Sequence, residues 1–153
     1  DKYVRNEEGG DFSALEKEGL AVFEAKCTTC HATDLFTDNS FRNNGLPPYA
    51  GIDDVGRAEV SGSLADNYKF KVPSLRNVAI TAPYMHDGRF GSLQSVLNFY
   101  NSGVQDSETL DPILKQNDRL GIALSTEEQE ALIAFLNTLT DNEFLEDARF
   151  AEY

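Results

Sequence analysis

The chain has 153 residues, 26 of them acidic and 13 basic, for a net charge of −13, and 41% of them are hydrophobic. That length suits about one domain with its own core. The charge argues against nucleic-acid binding, which needs a basic footprint, and no apolar run approaches the roughly 18 residues that span a bilayer. The acidic surface serves solubility first and the salt-sensitive steering of a basic partner second.

Residues 1–12 read as a polar, extended lead-in containing Gly9 and Gly10. The sequence opens on charged residues rather than a leader, and Asp1 is read as a processed start, not as an argument for the cytoplasm. A domain is expected over 13–140. Its first helix is expected from Ser13 to Lys26, with Ser13 and Glu16 as a capping box. Leu15, Gly19, Val22 and Phe23 fall on one face at helical spacing. Gly19 costs about 1 kcal/mol inside a helix, which close approach of a second helix would justify.

Cys27-Thr28-Thr29-Cys30-His31 follows at the helix end. This is the C-x-x-C-H pattern of covalent c-type haem attachment. Two thiols at this spacing form thioethers with the two haem vinyl groups, and the adjacent histidine becomes the proximal iron ligand. Cys27 and Cys30 are the only cysteines, and the only other histidine is His86. A zinc site would need more ligands nearby than that. One covalent haem c is therefore expected, held by Cys27, Cys30 and His31. Its attachment implies a periplasmic location.

Residues 32–70 are punctuated by Asn43-Asn44-Gly45, Pro47-Pro48, Gly51, Gly56 and Gly62. So long an irregular stretch is acceptable where a haem replaces part of the core, with Phe36, Phe41, Leu46 and Tyr49 as candidate porphyrin neighbours. A short helix is expected over 75–80, and Asp87-Gly88 signals a turn. Ser92 caps a helix to Asn101 that puts Leu93, Val96, Leu97 and Tyr100 on one face, with Gly103 as its stop. A second irregular segment spans 104–124. The last helix is expected over Thr126–Leu139, with Ser125 and Glu128 as a capping box. Residues 141–153 read as an acidic, surface-bound or frayed tail. The fold class is all-α: a class I cytochrome c-like domain with crossed N- and C-terminal helices and long irregular haem-enclosing loops.

The ligand opposite His31 decides the chemistry. A thioether raises the potential, a phenolate favours ferric iron, and an open position admits peroxide. Met85 is the only methionine and sits in a loop between Pro83 and Gly88. Tyr100 points inward from its helix and needs a partner for its hydroxyl. His86 beside Asp87-Gly88 is the least favoured. Spacing and chemistry favour Met85.

The stretches Leu35–Asp38, Phe41–Leu46, Phe70–Asn77, Thr81–Phe90 and Ser92–Tyr100, downstream of Cys27–His31, together resemble a known family. It is the C-terminal haem domain of bacterial dihaem cytochrome c peroxidases and of the tyrosine-ligated dihaem enzyme of methylamine utilisation. The resemblance covers Leu15 to Leu139. It implies that Tyr100 occupies the distal-ligand position, so Tyr100 is preferred and Met85 is the alternative. It implies that Arg76 lies near the haem edge, where it either meets a propionate or braces a loop. Thr81 and Pro83 match carbonyl ligands of an interdomain calcium, expected to be weak or absent in this chain. No second C-x-x-C-H is present, so the resemblance makes this one half of a dihaem enzyme or a stand-alone descendant. The implied partners are an N-terminal peroxidatic haem domain and a small redox protein as electron donor. The implied function is electron transfer through one haem. The alternative is a peroxide-reactive enzyme with tyrosine-ligated or open iron.

Overall fold

Two long helices carry the frame. In the computed structural model, which describes residues 1–5, 11–52 and 54–150, a helical turn α1 (Lys2–Arg5) precedes α2 (Ala14–Lys26). The expected capping box starts α2: the Glu16 N–H donates to Ser13 Oγ at 3.2 Å, and the Ser13 N–H donates to Glu16 Oε2 at 2.7 Å. Its last turn runs into the haem motif, because the Cys27 N–H closes onto the Phe23 carbonyl at 2.8 Å.

Between α2 and the final helix lie a short turn α3 (Ala58–Ser61) and the ten-residue α4 (Leu93–Ser102). The expected caps bound α4: Ser92 Oγ accepts from the Ser95 N–H, and Gly103 ends it. Helix α5 (Thr126–Asn137) opens on the Ser125–Glu128 capping box. It stops two residues short of the expected Leu139. The Thr138 N–H turns back to the Phe135 carbonyl at 2.9 Å, and the Thr138 hydroxyl donates to the same oxygen at 2.6 Å, tightening the last turn.

Helices α2 and α5 pack together at Gly19. A Cβ placed there would sit 1.9 Å from the Ala131 carbonyl oxygen, so only glycine allows this approach. Lys26 locks one end of the pair, its ammonium reaching the Ala123 carbonyl at 2.8 Å and the Glu128 carboxylate. The α2 face differs from the expected one at Leu15, which is 46% exposed.

The described residues form two apolar clusters. One gathers Phe23, Phe36, Leu132, Phe135 and Leu139, with Cys27 against its edge. The other is built on Leu46, Phe99, Val104 and Leu110, with Met85 and Tyr100 packed against it. Phe36 is thus a core aromatic, 5.5 Å from Phe23 and 6.1 Å from Phe135 between ring centroids.

The fold is helix-rich but not purely helical. Strands β1 (Phe41–Arg42) and β2 (Phe70–Lys71) pair antiparallel, as do β3 (Lys115–Gln116) and β4 (Arg119–Leu120). The expected helix over 75–80 shrinks to a 3₁₀ turn at Val78–Ile80. The N-terminal lead-in, expected to be extended, is helical over Lys2–Arg5. Its Tyr3 ring lies 5.1 Å from Phe36 and 5.9 Å from Phe135, and the Lys2 N–H donates to the Thr138 carbonyl. Gly9 and Gly10 lie outside the described residues. In the tail, α6 (Asn142–Leu145) is followed by a 3₁₀ turn at Ala148–Phe150, and the Asp141 N–H is tied to Asn77 Oδ1 at 2.6 Å.

Candidate functional site

Cys27 caps α2, and Cys30 and His31 lie in the turn that follows. Both cysteines are free thiols. Burial pushes the Cys27 thiol up to about 12, with Cys30 adding to the effect. Burial raises the Cys30 thiol too, against the opposing pull of Arg42. Redox-active C-x-x-C pairs work through a lowered thiol pKa. These thiols are shifted the other way, which disfavours a dithiol redox role. Among the described residues no three His, Cys, Asp or Glu side chains gather as a metal-binding group.

His31 is oriented by its own loop. Its Nδ1 lies 2.8 Å from the Phe36 carbonyl oxygen. A carbonyl can only accept, so Nδ1 carries the proton and Nε2 keeps its lone pair for a metal. Burial lowers the imidazole pKa, with the Phe36 bond working against it. The loop that supplies this carbonyl is closed by the Thr37 N–H to Ala32 O at 2.7 Å and the Asp38 N–H to Cys30 O at 3.0 Å.

Tyr100 lies on α4 and Met85 in the loop before it. Burial raises the Tyr100 phenol, the Asn44 hydrogen bond works against it, and Cys30 and Cys27 add to it. Asn44 joins the two candidates: its Nδ2 donates to Tyr100 Oη at 3.4 Å and to Met85 Sδ at 3.6 Å. His86 is turned elsewhere. Its ring stacks on Phe70 at 3.7 Å with 7° between planes, and its Nε2 lies 4.0 Å from Asp54.

Arg76 braces the proximal loop. Its guanidinium pairs with the Asp1 carboxylate, donates from Nε to the Asp34 carbonyl at 2.9 Å, and lies over the Phe36 ring. Thr81 and Pro83 are exposed, and the Thr81 hydroxyl donates to the Val78 carbonyl at 3.3 Å. Of the expected porphyrin neighbours, Phe41 is 41% exposed with Arg57 over its ring, and Tyr49 is 55% exposed with Arg89 over its ring.

Two residues escaped the sequence reading. Arg42 was passed over inside Phe41–Leu46. Its Nη1 donates to Asp111 at 2.9 Å, its Nη2 to Asp38 at 2.7 Å and to the Thr29 carbonyl at 3.4 Å, and its Nε to Ser40 Oγ at 2.8 Å. It thereby ties the C-x-x-C loop to both irregular segments. Asn44 was read only as part of a turn; a polar side chain one residue before a glycine turn, near two ligand candidates, was the available signal.

The Arg42 network makes a pH prediction. Burial pushes the Asp38 carboxyl up, but the Ser40 hydroxyl and Arg42 outweigh it and hold Asp38 at about 2. A depressed carboxylate contributes stability that is full above its ordinary value of 3.8 and is lost as pH falls through about 2. Urea melts between about pH 4 and pH 2 should therefore show a loss that Asp38→Asn flattens. An identical acid limb in both proteins would count against the network.

The donor set fits a covalently held haem. It offers two thiols at the required spacing, an imidazole oriented through Nδ1, and a phenol and a thioether joined by the Asn44 amide.

No family model matches the chain. It is 41% identical over 137 residues to the methylamine utilization protein MauG of Methylorubrum extorquens, covering 85% of this chain and 36% of that protein. It is 32% identical over 162 residues to the cytochrome-c peroxidase IdrP2 of a Pseudomonas species, covering 86% and 42%. A crystal structure of a MauG-like protein associated with microbial copper homeostasis superposes with a TM-score of 0.82 at 30% identity, covering 98% of this chain and 54% of that one. The chain spans less than half the length of these two sequence relatives.

Proposed function

Because the chain belongs to the family of MauG proteins and dihaem cytochrome c peroxidases, we propose that it is a one-haem c-type cytochrome domain of that family that transfers electrons. The observation that carries this reading is the oriented set around the motif. Cys27 and Cys30 are free, half-buried thiols, His31 is fixed through Nδ1 on the Phe36 carbonyl, and the Asn44 amide joins Tyr100 to Met85.

Cys27 and Cys30 would hold the haem, His31 Nε2 would be its proximal ligand, and Tyr100 its distal ligand, with Met85 as the alternative. A haem bound there supplies one-electron exchange at its iron. The Phe36 carbonyl keeps His31 in one tautomer and one orientation. The close packing of α2 on α5 at Gly19 supports a class I cytochrome c-like frame with crossed terminal helices, because α2 delivers the motif. A net charge of −13 suits a cationic small redox protein as electron donor. An N-terminal peroxidatic haem domain is the proposed second partner and the periplasm the proposed location. A weak calcium site on the Thr81 and Pro83 carbonyls would belong to that domain contact. No helix among the described residues is long and apolar enough to cross a membrane.

The test is the optical and EPR spectrum of the holo protein beside Tyr100→Phe and Met85→Leu. The parent is expected to be six-coordinate and low-spin, without rapid reaction with peroxide. Tyr100→Phe is expected to lose the parent signature, and Met85→Leu to keep it. A Tyr100→Phe spectrum identical to the parent moves the distal assignment to Met85. A high-spin ferric parent that turns peroxide over quickly overturns the electron-transfer reading in favour of an enzyme.

A further inference from the structure

Asn44 touches both candidate distal ligands through one amide. Its Oδ1 accepts the Leu46 N–H at 3.2 Å, which fixes the flip of the side chain and turns its NH₂ forward. That NH₂ carries two hydrogens, and two acceptors lie before it: Tyr100 Oη at 3.4 Å and Met85 Sδ at 3.6 Å.

The loop that presents Asn44 is braced on both sides. The Gly45 N–H donates to Asn43 Oδ1 at 2.8 Å, and Asn43 Nδ2 reaches Ser107 and Thr109. Gly45 has φ +75°, and a Cβ there would lie 2.7 Å from the Val104 side chain. The donor is therefore preorganised, not free to follow whichever ligand moves. Met85 itself sits in a left-handed conformation, φ 72°, that a methionine rarely adopts.

The two acceptors are unequal. A phenolate oxygen is a strong acceptor and a thioether sulfur a weak one, so the same amide stabilises the first much more than the second.

We propose that Asn44 selects the distal haem ligand, one amide hydrogen stabilising the Tyr100 oxygen as ligand and the other holding the Met85 sulfur back as the reserve. This rests on the haem reading above. Asn44 is a positioning residue: it acts on the iron through Tyr100 and Met85.

The experiment uses the holo protein with Asn44→Asp and Asn44→Ala, each alone and combined with Met85→Leu. Asn44→Asp keeps an acceptor for the Leu46 N–H, so the turn is preserved while the donor is replaced by a negative acceptor. Ferric optical spectra, EPR and reduction midpoints are the readouts. Asn44→Asp is expected to gain a methionine-sulfur charge-transfer band that the parent lacks and to shift its midpoint upward, because a thioether raises the potential. With Met85→Leu added, the band is lost and the iron becomes high-spin. Parent-like spectra and midpoints in both Asn44 variants overturn the proposal, as does a change that is the same with and without Met85. Failure of the haem reading appears separately, as a parent chain that carries no covalent haem.

Discussion

The Cys27→Ser/Cys30→Ser double variant, expressed beside its parent in a host with haem-attachment machinery, is expected to lose all covalently held haem. The parent should keep its pigment through denaturing electrophoresis and acid extraction, and the double variant should not. Each single variant should retain one thioether, visible as a red-shifted pyridine haemochrome band from the unreacted vinyl group. The size of the effect follows from the geometry. These two are the only cysteines in the chain, so no other thiol can substitute. Their raised pKa values leave them protonated near neutral pH, poor at spontaneous disulfide exchange and metal capture. His31 stays oriented in the variants, because its Nδ1 bond runs to the Phe36 backbone and not to either cysteine. Residual, extractable haem bound through His31 is therefore compatible with the reading. Two titratable free thiols in the purified parent would sink it.

What the sequence made legible is what is local. Ser13 with Glu16, and Ser125 with Glu128, carry their helix starts within three residues, and both capping boxes form. The haem motif is five contiguous residues. Gly19 was legible as an anomaly, a poor helix former inside a helix, and its reason proved to be the Ala131 carbonyl. What stayed hidden depends on residues far apart in the chain. Arg42 is paired with Asp111, 69 positions away. Asn44 meets Tyr100 56 positions away. The β1–β2 and β3–β4 ladders are two residues per strand, too short to show a period-two pattern. Phe36, Phe41 and Tyr49 looked alike as aromatic residues in a turn-rich segment. Packing sent Phe36 into the core between Phe23 and Phe135 and left the other two under surface arginines. The N-terminal turn was misread because its anchors, Phe36, Phe135 and Arg76, lie far along the chain.

Gly19→Ala is expected to destabilise the protein, although alanine is the better helix former by about 1 kcal/mol. The added Cβ would lie 1.9 Å from the Ala131 oxygen, 2.6 Å from its carbonyl carbon and 2.8 Å from the Phe135 Cβ. Two of these three atoms are backbone, so no rotamer change relieves the collision, and α2 must move away from α5. Overpacking of this kind costs about 3 kcal/mol at the upper end of its usual range. Subtracting the propensity gain leaves a net loss of about 2 kcal/mol, or roughly 4–8 °C in Tm for a chain of this size. Gly91→Ala is the control, since nothing lies within 4 Å of a Cβ there and its Tm should barely change. Adding Ala131→Gly should not rescue Gly19→Ala, because the clash is with the Ala131 carbonyl and not its methyl group. A Gly19→Ala protein as stable as the parent would mean that the two helices do not meet at this point. The displacement should also reach the site. Cys27 caps α2, and Lys26 ties that end to the start of α5. A shifted α2 therefore carries the first thiol away from Tyr100, and the distal-ligand spectrum should broaden in the variant even where haem attachment remains complete.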